Sequence, residues 1–256
     1  MSVIFKGEKI SKYFGGVKAL IDVDIEIRND EILGVIGPNG AGKTTLFNVI
    51  TGFDSLSKGK LSFEDVDVTG KLVHEMCAVG FARTFQNIRL FSAMTVIDNL
   101  VTGMHTKLHS GLFGSILKLK SNVRKENEAY EKAHEILTYL GIDQYAGEIA
   151  DNLPYGKQRK VEIGRALASE PKIILLDEPS AGMNPQETAE LMELIAGISK
   201  RGPAVVVIEH NMQLIMGICD RITVLNFGEK ICEGAPEYVQ SDQSVIEAYL
   251  GQEEEE

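Results

Sequence analysis

The chain has 256 residues, 44% apolar and 25% charged, a profile that fits one large α/β domain or a core carrying a smaller insert and excludes a fibrous chain. Its formal charge of −11 argues against general attraction to nucleic acid, which needs basic surface to neutralise phosphates. The longest unbroken apolar run, Ala204 to Ile208, is far below the roughly 20 residues of a membrane-spanning helix.

From Val3 to Ile36 the chain reads as strands, through the alternation Val23, Ile25, Ile27 and then the apolar run Ile32 to Ile36. The opening MSVIFKGEKI has no apolar h-region and no small-residue cleavage site, so a cytoplasmic protein is expected. Gly37, Pro38, Asn39, Gly40, Ala41, Gly42, Lys43 and Thr44 then match G-x-x-x-x-G-K-[ST], between that apolar strand and a helix beginning near Lys43. Glycines let backbone N–H groups converge on phosphate oxygens where a Cβ would block them, and the helix N-terminus adds a fixed positive potential. The pattern points to ATP with Mg²⁺: Lys43 toward the β- and γ-phosphates, Thr44 on the ion and Thr45 on the α-phosphate.

Gln86 follows a short strand at the start of a helical region running from about Asn87 to Leu167, a position from which it can touch Mg²⁺ and report nucleotide state. Within that region Asn99 to Lys125 holds Lys107, Lys118, Lys120, Arg124 and Lys125 but no acid, interleaved with Leu112, Phe113, Ile116, Leu117 and Leu119. The plainer reading of this stretch is an apolar face packed on the helical region with solvated lysines; as a basic amphipathic segment it also suits a membrane-proximal surface or a partner helix. Glu126 to Leu140 reads as an amphipathic helix ended by Gly141.

Further on, the strand candidates Lys172 to Leu176, Ala204 to Ile208 and Arg221 to Leu225 are separated by helix-length segments, which predicts a mostly parallel sheet. The first runs into Asp177 and Glu178 and the second into His210, all at the carboxyl edge where open α/β sheets bind ligands. Asp177 suits a magnesium site, while Glu178, read as lying on the opposite pleat, can polarise a water aimed at the γ-phosphate. His210 can hydrogen-bond the γ-phosphate or hold that water. Cys77, Cys219 and Cys232 are widely spaced and read as reduced thiols, and Glu253 to Glu256 as a solvated end.

With these pieces in order, the chain resembles the ATPase subunit of ABC transporters over nearly its whole length. The deciding segment is Leu153-Pro154-Tyr155-Gly156-Lys157-Gln158 with the helix that follows, which aligns without gaps to the signature L-S-G-G-Q. The resemblance makes Gln86 the Q-loop glutamine, Asp177 and Glu178 the Walker B acids, Ser180 to Asn184 the D-loop and His210 the switch histidine. It also makes Phe14, directly before Gly15 and Gly16, the aromatic that stacks on adenine, with Tyr13 as the alternative. Arg83 to Phe91, Ala181 to Pro185, Ile208 to His210 and the ending Val245 to Gly251 are similar to the branched-chain amino acid importer subfamily.

The fold class implied is α/β: a P-loop NTPase core with an N-terminal antiparallel β-subdomain and an inserted α-helical subdomain. The whole chain is expected to be one cassette, with 1–86 and 168–256 forming the core and 87–167 the insert. The implied partners are transmembrane permease subunits, a second ATPase or another copy of this chain in an ATP-sandwich dimer and, indirectly, a solute-binding protein. The implied location is the inner face of the cell membrane, as a peripheral subunit. Pro154 and Tyr155 depart from the signature serine and first glycine, leaving Gly156, the helix N-terminus and Lys157 for phosphate contact, and Asn184 replaces the usual D-loop aspartate.

Overall fold

A computed structural model describes residues 2–104 and 120–253, and the chain divides into two compact units, Met1–Arg83 with Lys172–Glu256 and Thr84–Pro171. In the first unit, strands β1 (Val3–Phe14), β2 (Val17–Arg28), β4 (Lys58–Phe63) and β5 (Val66–Asp67) form an antiparallel sheet in the order β2-β1-β4-β5. Strands are expected from Val3 to Ile36 in this part of the chain, and β4 and β5 lie beyond that range. Lys58, Gly59 and Lys60 are exposed, so β4 shows too little apolar alternation to be read without its neighbours.

The second sheet is built from β3 (Ile32–Ile36), β6 (Phe81–Arg83), β7 (Ile173–Asp177), β8 (Ala204–Ile208), β9 (Arg221–Asn226) and β10 (Glu229–Gly234). Its order is β10-β9-β3-β8-β7-β6, parallel except for the β9–β10 hairpin. All residues of β3, β7 and β8 are buried, as continuous apolar runs covered on both faces should be. The core joins the two sheets through Phe5, Phe47, Phe63 and Phe81, with Phe81 edge-on to Phe5 at 5.6 Å between ring centroids. The parallel order sets the carboxyl ends of β3, β7 and β8 side by side, and the candidate site is at that edge.

The second unit is helical, with helices Val96–Gly103, Lys120–Tyr139 and Tyr155–Ala168 among its described residues. Gly164 lets Tyr155–Ala168 pack closely, since a Cβ there would stand 2.7 Å from Leu140 Cδ1. Helix Lys120–Tyr139 begins before the amphipathic stretch read from Glu126, because helix propagates through polar residues that carry no apolar period. Lys107, Leu112, Phe113, Ile116, Leu117, Lys118 and Leu119 lie outside the described residues. Of the basic segment's described side chains, Arg124 pairs with Glu128 on its own helix at 2.9 Å. No helix among the described residues is long and apolar enough to cross a membrane.

Candidate functional site

The loop from Gly37 to Gly42 joins β3 to helix Lys43–Ile50, and two of its glycines are required by close approach. A Cβ on Gly37 would lie 2.1 Å from the Leu225 carbonyl oxygen. Gly42 caps the helix at φ 101°, and a Cβ there would lie 2.7 Å from the Ala19 carbonyl oxygen. The turn after β9 braces the loop, because the Gly228 N–H donates to the Ala41 carbonyl at 3.1 Å. A Cβ on Gly40 would meet nothing within 4 Å, so no atom of the chain crowds the loop's crest, and a loop of this kind can turn its main-chain donors to phosphate.

Lys43 is buried, and its Nζ donates to the carbonyls of Gly37 at 2.7 Å and Pro38 at 2.9 Å. Burial lowers its pKa, and the charges of Glu178 and Asp177 act in the opposite direction. The ammonium is thus held on the loop carbonyls, within the electrostatic influence of two acids. Thr44 is exposed and Thr45 half-buried on the same first helical turn, and Asn39 and Gly40 are exposed at the loop's crest.

Strand β7 ends at Asp177, and the next residue departs from the pleat reading. Glu178 adopts a left-handed φ of 46° while its N–H still donates to the Ile208 carbonyl at 2.9 Å. The ladder bond holds the backbone in place and the left-handed turn redirects the side chain, so strand alternation does not govern where it points. Its Oε1 lies 3.0 Å from His210 Nε2, which joins two of the three residues read as catalytic, the third being Gln86. Glu209, next to His210 in the chain, is buried; its Oε1 accepts from the Ser180 N–H at 2.7 Å and its Oε2 accepts from the His210 N–H at 3.1 Å. Asn184 caps helix Pro185–Ser199 in a reciprocal box with Glu187, both bonds at 3.0 Å, a role an aspartate would fill equally.

Asp177 is held by a residue to which sequence reading gave no role. Arg83 Nη2 donates to Asp177 Oδ2 at 2.7 Å, and Nη1 donates to Asn48 Oδ1 at 2.7 Å on the helix after the loop. The guanidinium lies 5.6 Å from the ring centroids of both Phe47 and Phe53. An arginine closing the buried strand Phe81-Ala82-Arg83 was the available signal. Tyr249, in the chain ending already noted, also reaches this region: burial raises its hydroxyl pKa and a hydrogen bond with the Gly37 backbone opposes the rise.

Phe14 is 47% exposed at the tip of the β1–β2 hairpin, with Lys12 Nζ 4.8 Å from its ring centroid. Tyr13 is half-buried and its N–H is bonded to Ser57 Oγ, so Phe14 offers the more open ring. Gln86, Gly156 and Lys157 belong to the helical unit. Gln86 is exposed, Gly156 and Lys157 occupy the first turn of helix Tyr155–Ala168, and Pro154 caps that helix without a side-chain bond. The donor set fits the ligands expected: backbone amides and an ammonium for phosphates, and hard oxygens from Thr44 and Asp177 for magnesium, which takes only one or two protein carboxylates.

Residues 20–181 match the family described as "ABC transporter", and residues 229–255 match that described as "Branched-chain amino acid ATP-binding cassette transporter". The chain is 44% identical over 240 residues to the high-affinity branched-chain amino acid transport ATP-binding protein LivG of Escherichia coli (strain K12), covering 93% of this chain and 94% of that protein. The fold is similar to the ADP conformation of MJ1267, an ATP-binding cassette of an ABC transporter, with TM-score 0.86, 36% identity and coverage of 98% and 100%. It is also similar to a dimeric post-hydrolysis state of the cassette MJ0796 bound to ADP and Pi, with TM-score 0.76, 26% identity and coverage of 91% and 99%.

Proposed function

The chain belongs to the ABC transporter ATP-binding family, and on that premise we propose that it binds and hydrolyses ATP as the energy-coupling subunit of an importer for branched-chain amino acids. The observation that carries the reading is the presence of the P-loop lysine and an acid–histidine pair at one sheet edge: Lys43 Nζ bonded to the loop carbonyls, and Glu178, whose charge acts on Lys43, bonded to His210. The substrate class follows from the relatives' names and from the match over residues 229–255.

In this reading the loop amides from Gly37 to Thr45 cradle the phosphates, and Lys43 exchanges its two carbonyl partners for β- and γ-phosphate oxygens. Phe14 stacks on the adenine. Glu178 takes a proton from the attacking water, while His210, at 3.0 Å, orients that carboxylate and reaches the γ-phosphate. Magnesium, held by Thr44, Asp177 and Gln86, would neutralise charge on the phosphates. Gly156 and Lys157 serve the nucleotide of a second cassette, either a paralogue or another copy of this chain. Residues 1–86 and 168–256 act as the nucleotide-binding core and 87–167 as the helical insert. Permease subunits anchor the cassette on the cytoplasmic face of the membrane, and a solute-binding protein delivers the amino acid to them.

Purified chain should hydrolyse ATP with magnesium, and Lys43→Ala should abolish turnover. Wild-type turnover in that variant would remove the P-loop assignment. In vesicles holding the copurified permease and its binding protein, uptake of leucine, isoleucine or valine should require ATP on the cassette side. Uptake of none of the three would overturn the substrate class.

A further inference from the structure

Arg159 heads the fully buried side chains by volume among the described residues, and it has no part in the site above. A guanidinium so placed is costly unless its donors are matched and its charge is paired. Its two terminal nitrogens make four bonds. Nη1 donates to the Phe85 carbonyl at 2.6 Å and to Glu162 Oε2 at 2.8 Å. Nη2 donates to the Gln86 carbonyl at 2.7 Å and to Tyr155 Oη at 3.1 Å.

Glu162 closes the arrangement from the other side. Its Oε1 accepts from the Arg89 N–H at 3.1 Å and, more weakly, from the Phe85 N–H at 3.4 Å. The main chain from Phe85 to Arg89 is therefore tied at both donors and acceptors to one stretch of helix Tyr155–Ala168. The planar fork of arginine can serve several fixed acceptors at once, which a lysine ammonium on a flexible stem does far less well. Tyr155 stands one turn before Arg159, the spacing at which helix side chains meet, with its ring 5.8 Å from the guanidinium carbon. It occupies the position of the first signature glycine, so the departure from the family pattern supplies the fourth acceptor.

We propose that Arg159, Glu162 and Tyr155 form a clamp that makes the main chain of Gln86 and the helix start bearing Gly156 and Lys157 move as one body. A displacement of Gln86 by nucleotide is then delivered to the face offered to the second cassette. All three are positioning residues, not catalytic ones. The clamp stands on this geometry; its consequence for turnover rests on the ATPase reading above.

The test is amide hydrogen exchange across residues 85–89 in the full chain, together with the dependence of turnover on ATP concentration. Tyr155→Phe keeps the ring and removes the acceptor at an exposed position, so folding is preserved. It should raise exchange at the Arg89 amide about 5-fold, the worth of one ordinary hydrogen bond, with strands β3 and β8 unchanged. Arg159→Lys should raise it by about 10-fold or more, as charge-assisted bonds are lost. In both, the Hill coefficient for ATP should fall toward about 1 while nucleotide affinity of the isolated chain stays at the wild-type value. Wild-type exchange at Arg89 in Tyr155→Phe overturns the clamp, and raised exchange with full cooperativity overturns the coupling. Raised exchange in a chain whose wild type has no turnover supports the clamp and overturns the ATPase reading.

Discussion

Replacing Arg83 by methionine should destabilise the chain by about 3–5 kcal/mol, the cost of leaving a buried charge without its partner. The side chains of Arg83 and Asp177 are 6% and 5% exposed and meet at 2.7 Å, so solvent does not replace the lost contact. Methionine retains a flexible apolar stem between Phe47 and Phe53, so the loss falls mainly on the charge and on bonds that include those to Asp177, Asn48 and, at 3.4 Å, Thr51. Against a typical domain stability of roughly 5–15 kcal/mol this is a large share. Urea unfolding is the assay: with a slope near the upper end of roughly 1–3 kcal/mol/M, the midpoint should fall by more than about 1 M. Adding Asp177→Leu to Arg83→Met should recover most of the loss, because removing both members of a buried pair leaves no stranded charge. A loss below about 1 kcal/mol, the range of exposed ion pairs, or no recovery in the double variant, would refute the account of Arg83 as the partner of Asp177.

Three further outcomes follow from the site and the core. Glu178→Gln should retain ATP and slow hydrolysis by roughly 10²- to 10⁴-fold, and with ATP it should sediment as a dimer, with itself or with the native partner ATPase when that is added; unchanged single-turnover hydrolysis would take the base role from Glu178. Phe14→Ala should weaken ATP binding by about 5- to 150-fold, the range of roughly 1–3 kcal/mol per stacked base, with kcat less affected; unchanged affinity in a binding titration would pass the role to Tyr13. Burial pushes the Cys219 thiol from 9.0 up to about 12. Between those values the folded chain keeps a proton that the unfolded chain has lost, so stability should fall as pH rises through the window, by up to about 4 kcal/mol. Cys219→Ala should flatten that fall in urea midpoints taken between pH 9 and pH 11, and an unaltered slope would show that Cys219 is not its source.

What the sequence determined by itself is the set of features written within a few residues of one another. The loop Gly37 to Thr44 and the apolar runs of β3, β7 and β8, with the acids and histidine that follow two of them, are of this kind. Their chemistry depends on backbone conformation and spacing along one segment, so it is legible without knowing what packs against it. The tertiary structure decided the rest. Arg83 finds Asp177 across 94 residues of chain, and Arg159 finds the carbonyls of Phe85 and Gln86 across 74 and 73. A buried charge acquires its meaning from the partner that neutralises it, and at such separations only the folding of the intervening chain determines which partner that is. Glu178 shows the same division at a single residue: the strand before it announced an acid at the sheet edge, but its left-handed turn, held by a bond to the neighbouring strand, decided that the carboxylate would meet His210.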